Sequence, residues 1–524
     1  MQRGKISVTR QSFIQGAMIL LAAGIVNRIL GFIPRIVLPR IIGAEGVGLY
    51  QLGYPFMTVL VTIVTGGIPL AVAKWVAEAR SVGDARAERN IFRTAMALAL
   101  GLSVLLAGLA ALAAPWLTTR VLTDSRVYHT FMWMLPVLPI TAASAVLRGW
   151  FQGRHNMLPT AVSTVAETIV RIVLVLLLSA ALLPHGLEWA AAGAMMGVVA
   201  GEAFGLIVLL VQYARTRRAA REPEGTGSGE GGPFPALSRL LGLAVPVTGS
   251  RLVGSLSYLL ESILTARSLA AAGIATGLAT AQYGALQGMI MPVALLPTAL
   301  TYSLAVSLVP SLSEAAAGRD RATIHKRLHQ STRIALVAGA PFAVAMYLFA
   351  EPICRLLYDH AEIAPMLRML APAALFIYLQ APLQAALQSL GRPGVALMNT
   401  FIGAAVKLTL IVWLASRPDL GIYGALIAII AGIALVTALH GIGVARAIGF
   451  AMKLPDFAKV GAAMTVMGAA SLFVMKRWLL PAEWMNLLLA LTAGSLVYLL
   501  LMVLMRMIDR HDIVRIPFIG RMFR

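Results

Sequence analysis

Apolar residues recur along the chain in long runs separated by short polar stretches. The alternation predicts helices at 13–38, 50–72, 92–115, 128–147, 158–181, 190–213, 238–264, 281–309, 332–350, 364–389, 395–415, 421–445, 458–475 and 485–505. Runs of this length suit the roughly 20 residues that an α-helix needs to cross a hydrocarbon core of about 30 Å. They must be helical, because unpaired backbone groups are intolerable in lipid. The expected fold is therefore an all-α polytopic membrane protein with about 14 transmembrane helices, a plan in which the apolar start of the chain is retained as the first span.

Composition supports the same class. Of 524 residues, 59% are hydrophobic and only 12% charged, too little polar surface to coat soluble domains. With a single cysteine, Cys354, no internal disulfide or thiolate metal cage can form, and the eight histidines show no ligand spacing.

One polar stretch stands apart. From Arg215 to Pro235 the chain reads RTRRAAREPEGTGSGEGGPFP, a flexible composition that cannot bury a core. It divides the first twelve helices into six and six, the plan of transporters built from two structural repeats. The expected organisation is an N-lobe over 1–214, a cytoplasmic linker over 215–236, a C-lobe over 237–446 and two further helices within 447–506. A basic tail over 507–524 reads equally as an interfacial segment or a stop-transfer flank. Helix breakers at Pro34, Gly66, Gly67, Pro69, Pro246, Pro292 and Pro297 fit either cavity walls or the ordinary kinks of membrane helices.

The net charge of +21 would suggest nucleic acid in a soluble protein. Sorted by the predicted topology it becomes an orientation signal instead. With both termini cytoplasmic, 29 of the 43 Lys and Arg residues fall on the cytoplasmic side, Arg148 and Arg154 among them, and eight fall opposite. Six remain inside spans, namely Arg28, Arg35, Arg171, Arg251, Arg368 and Lys407, against three acids, Glu167, Glu202 and Glu261.

A charge at mid-bilayer costs about 2.5 to 3.5 kcal/mol on insertion scales, so each must pair, snorkel or line a wet cavity. The cationic surplus suits an anionic cargo such as a phosphate or diphosphate, since a guanidinium holds two oxygens at once. Arg28 and Arg35, two turns apart, can face one cavity and are read as cargo contacts. Glu167 and Arg171 have the i, i+4 spacing of a self-contained ion pair. Arg251 is the candidate anion contact of the second lobe and Glu261 a candidate proton or cation site, or else each joins an interhelical salt bridge. Glu202 can pair with any of these.

There is no Walker loop, GxSxG elbow, HExxH or paired-cysteine motif, so neither catalysis nor an encoded ATPase is expected, and no cofactor or metal. Coupling through an ion gradient, H+ or Na+, or through membrane potential is the default left.

The run from Asn27 to Tyr50, NRILGFIPRIVLPRIIGAEGVGLY, resembles the first helix and following loop of the multidrug/oligosaccharidyl-lipid/polysaccharide flippase superfamily, in particular its polysaccharide-transporter branch containing the stage V sporulation protein B group. The likeness continues through Gly66–Lys74, Val76–Ala79 and Arg148–Gly153. The resemblance implies two six-helix lobes around a central cavity and alternating access. It also implies export of undecaprenyl-diphosphate-linked sugars across a bacterial cytoplasmic membrane, for this group in spore cortex peptidoglycan synthesis. In the related lipid II flippase branch the first arginine is followed by an Arg-Asp pair. Here Arg28 matches the first arginine, Pro34 and Arg35 occupy the pair, and Tyr283–Gly288 replaces an Ala-Asp-Arg element. A cation-coupled multidrug exporter of the same superfamily would instead need a net acidic cavity, and a membrane glycosyltransferase would need an acid or base at a lipid-facing groove.

Overall fold

The computed structural model of the chain describes residues 13–220, 233–477 and 479–507. The basic residues Arg3, Lys5 and Arg10, the linker residues 221–232 and the tail 508–524 lie outside the described residues. Every described element is helical. Twelve runs are long and apolar enough to cross a membrane. The first, Met18–Ser81, is 64 residues long. At 1.5 Å per residue it would extend roughly 96 Å, about three bilayer cores, so it holds more than one crossing.

The chain divides into two compact units, 1–288 and 289–524. The first contains α1 (Phe13–Leu30), α2 (Phe32–Thr65), α3 (Ile68–Ser81), α4 (Ala85–Trp116), α5 (Val127–Met134), α6 (Val137–Gly153), α7 (Leu158–Leu182), α8 (Leu187–Ala220), α9 (Pro233–Ala271) and α10 (Thr276–Gly284). Although α9 follows the polar linker, it packs against α2, α3 and α4. The second unit contains α11 (Met291–Leu295), α12 (Thr298–Ala317), α13 (Arg321–Leu348), α14 (Ala350–Tyr358), α15 (Ala364–Ser389), α16 (Pro393–Ala415), α17 (Ile422–Ile448), α18 (Leu454–Arg477) and α19 (Glu483–Leu504).

Three features of this layout correct expectations from the sequence. The run expected at 50–72 is broken between Thr65 and Ile68, where a side chain at Gly67 would lie 2.2 Å from the Ala244 carbonyl oxygen; only glycine lets α9 come so close. The run expected at 281–309 is split by a π-helical turn, Ala285–Ile290, and by breaks near Pro292 and Pro297, which donate no backbone N–H. Arg148, expected in a loop, sits inside α6, which the apolar pattern had ended at residue 147.

Local sequence sets the ends. Asp84 caps α4 by accepting hydrogen bonds from the Arg86 and Ala87 amides at 3.0 and 2.9 Å, and Asp320 caps α13 in the same way through the Thr323 amide. At Asp320 those bonds hold the carboxyl below its usual range. Gly449 closes α17 in the left-handed conformation that favours glycine.

Lipid offers no hydrophobic drive between helices, so close packing through small residues has to supply it. On α8, Gly193, Gly197, Gly201 and Gly205 recur every fourth residue and face α7. A side chain on Gly197 would come within 2.3 Å of the Val175 backbone nitrogen. Gly149 and Gly153 likewise seat α6 on the Pro69 and Ala73 carbonyls of α3. In the second unit, Gly403 of α16 meets Val436 of α17.

Candidate functional site

The glycine-lined seam between α7 and α8 carries the densest charge in the first unit. Glu167 is buried at 6% exposure. It receives Arg148 Nη2 from α6 on Oε2 at 2.8 Å and Arg171 Nη1 on Oε1 at 3.0 Å. The Glu202 carboxyl of α8 abuts that of Glu167. Gly201 and Gly205 make this possible, since side chains there would meet Arg171 Cβ at 2.5 Å and Glu167 Cβ at 3.0 Å. Two carboxyls and two guanidiniums thus share one buried seam, and Arg148 is the member that the apolar pattern missed. Gly149 and Gly153, beyond Arg148 in the same helix, pack against α3.

A second cluster lies alongside. Arg171 interacts electrostatically with Tyr50 of α2, and so does Arg35, whose charge also reaches Tyr258 of α9. Arg35 and Tyr50 both belong to α2 but are fifteen positions apart, roughly 22 Å along a straight helix. Between them α2 bends at Gly43, whose backbone (φ 66°, ψ −179°) is not helical. Glu261, buried on α9, accepts a hydrogen bond from Gln287 Nε2 at 2.7 Å.

The cations proposed to meet cargo are accessible. Arg28, on α1, and Arg35, just beyond the turn at Gly31, are exposed, as is Arg251 on α9. Arg35, Arg251 and the exposed Arg368 of α15 form no ion pair among the described residues, whereas Arg171 does. Lys407 packs its Cβ against Gly432. A guanidinium that is both accessible and unpaired can take two oxygens of a phosphate, and one held by a carboxylate cannot do so without breaking that pair.

A third cluster ties α2, the α4–α5 connection and α10 together. Arg126 donates to Glu45 Oε1 at 2.7 Å and to Asp124 at 2.9 and 3.1 Å, and Thr280 donates to Asp124 Oδ2 at 2.8 Å. The Asp124 hydrogen bonds hold Arg126 protonated even beyond its ordinary range. Just below this cluster, Gly48 and Gly284 bring α2 and α10 together, a side chain on Gly48 meeting the Thr280 carbonyl oxygen at 2.0 Å.

In the second unit, Asn399 Nδ2 lies 3.2 Å from His440 Nδ1, and Gln380 Nε2 donates to Thr437 Oγ1 at 3.1 Å. Among the described residues no three His, Cys, Asp or Glu side chains are grouped as metal ligands.

Comparison with known proteins places these features in a family. A family model described as "Polysaccharide biosynthesis protein" matches residues 13–316, and one described as "MatE" matches 255–414. The chain is 39% identical to "Stage V sporulation protein B" of Bacillus subtilis (strain 168) over 98% of its own length and 99% of the relative's. It is 25% identical to "Lipid II flippase MurJ" of the same organism over 76% of each. Among solved structures, "Lipid II flippase MurJ, inward closed conformation" superposes with a TM-score of 0.68 at 15% identity, covering 93% of this chain and 99% of that one; at this identity the likeness is one of fold.

Proposed function

The chain belongs to the polysaccharide biosynthesis protein family, and from that premise we propose that it is a flippase for a lipid-linked cell-wall precursor. The cargo is an undecaprenyl-diphosphate-linked peptidoglycan or polysaccharide intermediate, moved across the cytoplasmic membrane by alternating access. The near full-length likeness to a stage V sporulation protein B supports a setting in spore cortex synthesis, and the likeness to a lipid II flippase supports the lipid-linked class of cargo. The observation that carries the chemistry is the pair of exposed, unpaired guanidiniums of Arg35 and Arg251 in the first unit, joined by exposed Arg28. A diphosphate brings the compensating charge, and the guanidinium geometry suits it.

The rest of the proposal concerns layout and coupling. A plan of two six-helix lobes followed by two further helices fits transporter architecture. The distribution of Lys and Arg supports both termini lying in the cytoplasm. Glu167 with Glu202, or Glu261, would serve a coupling cation, H+ or Na+, Glu167 and Glu261 being buried and Glu202 half-buried among the helices. The match to the MatE model favours one alternative, a cation-coupled multidrug exporter. The two readings differ in the sign of the charge they require.

Reconstitution separates them. Proteoliposomes holding the protein should move a fluorescent polyprenyl-diphosphate sugar to the opposite leaflet, and Arg28→Ala and Arg251→Ala should abolish that movement while the variants still fold. Transport of cationic dyes with no lipid flipping would favour the exporter.

A further inference from the structure

Seven of the twelve tyrosines divide by how their hydroxyls are used. Tyr358, Tyr378 and Tyr498 are fully buried, and each donates to a backbone carbonyl, of Met289, Ala294 and Val337 respectively, at 2.9 to 3.0 Å. These are structural, because a buried phenol finds a partner. Tyr50, Tyr54 and Tyr258 behave differently. Each is half-buried, and none of their hydroxyls makes a hydrogen bond among the described residues. The Tyr50 and Tyr54 rings lie 5.8 Å apart at 38°, and Tyr258 of α9 interacts with both. Tyr283, the seventh, is fully buried beside Tyr258.

Packing alone gives no reason for three partly accessible phenols with idle hydroxyls to gather in one place. Phenylalanine would fill the same space without a polar atom inside the membrane. Arg35 interacts with both Tyr50 and Tyr258. The grouping therefore presents one anion-binding group beside flat aromatic faces with hydroxyls at their edges. A sugar ring has the complementary surface, with C–H faces that pack on aromatic rings and a rim of hydroxyls that exchange hydrogen bonds with phenols.

We infer that Arg35, Tyr50, Tyr54 and Tyr258 form a cradle for the sugar that adjoins the diphosphate of the cargo, with Arg35 on the phosphate and the tyrosines on the pyranose ring. The inference rests on the flippase reading above and adds to it the subsite that reads the sugar. The bend at Gly43 lies between Arg35 and Tyr50 on α2 and sets the angle between the two halves of the cradle. On this account the protein distinguishes a loaded carrier from a bare one by aromatic contact, while charge alone holds both.

The test is a binding measurement on the full chain in detergent or nanodiscs. The two probes are polyprenyl diphosphate and the same lipid bearing one N-acetylhexosamine. The native chain should prefer the sugar-bearing probe by about tenfold or more, a difference of about 1.4 kcal/mol. Tyr50→Leu and Tyr258→Leu should bring the ratio close to one with little change for bare diphosphate, and Tyr258→Phe should keep part of the preference. Arg35→Gln should weaken both probes together and keep the ratio. Thermal unfolding and gel filtration identify any variant that fails to fold, for which the phenylalanine variants substitute. Equal binding of both probes by the native chain, or a preference unchanged in both leucine variants, overturns the cradle and leaves the flippase reading intact. No binding of either probe overturns the flippase reading and the cradle with it.

Discussion

Arg148 on α6 reaches Glu167 on α7 with 2.8 Å between Nη2 and Oε2, so that a carboxylate spaced to pair with Arg171 on its own helix is bridged between two guanidiniums. The bridge ties α6 to α7, and Glu202 brings α8 to the same point. Three helices of the first unit are thereby linked through one buried acid.

Removing one side of such a bridge costs more than removing both. Arg148→Leu should destabilise the protein by about 1 to 3 kcal/mol, less than the loss for a fully buried pair because the Arg148 side chain is 24% exposed. The double variant Arg148→Leu/Glu167→Leu should recover part of that loss. Thermal unfolding in detergent checks both. An Arg148→Leu variant as stable as the parent would show that the bridge carries no stability.

The α7–α8 seam predicts a contrast between glycines. Gly197→Ala pushes a methyl group against the Val175 backbone, with 2.3 Å available, and should cost about 1 to 3 kcal/mol as overpacking. Gly108→Ala, on the exposed face of α4 with nothing within 4 Å, should be neutral or stabilising. The unfolding midpoint should fall for Gly197→Ala and stay or rise for Gly108→Ala, and equal falls would contradict the packing described.

At Gly43 space is not the constraint. Nothing lies within 4 Å of a side chain there, yet the backbone sits at φ 66° and ψ −179°, a region open almost only to glycine. Gly43→Ala should therefore cost about 1 to 3 kcal/mol and should also impair transport, because straightening α2 separates Arg35 from Tyr50. A transport assay beside thermal unfolding separates the two effects.

Cys354, in α14, is fully buried, and burial pushes its thiol up to about 12. At neutral pH it is both enclosed and protonated, and since the thiolate is the reactive form, maleimide should leave the native protein unlabelled and modify it stoichiometrically once unfolded. Rapid labelling of the native protein would place α14 differently.

Much of this was legible in the apolar pattern, which located the last two spans, 458–475 and 485–505, within a few residues of α18 and α19. Periodicity did not show where a helix runs past its apolar stretch. α6 runs past its apolar stretch through Gly149 and Gly153, which pack against α3, so Arg148 looked like a loop residue. Nor could it show the bend at Gly43, since one glycine in a glycine-rich segment carries no local mark until its dihedrals are known. The charges themselves were visible in the sequence. Their partners, Glu167 for Arg148 and Gln287 for Glu261, come from other helices, and spacing along one helix is silent about them. The positions of the basic tail and of the linker residues 221–232 lie outside the described residues.

The central claim is that exposed guanidiniums of this chain receive the negatively charged headgroup of a lipid-linked sugar and carry it across the membrane. The most direct measurement is leaflet exchange of a fluorescent polyprenyl-diphosphate sugar in proteoliposomes containing the native chain, Arg28→Ala or Arg251→Ala, with folding verified for each. The account predicts exchange by the native protein and its loss in both variants. Exchange at the native rate in both variants would contradict it.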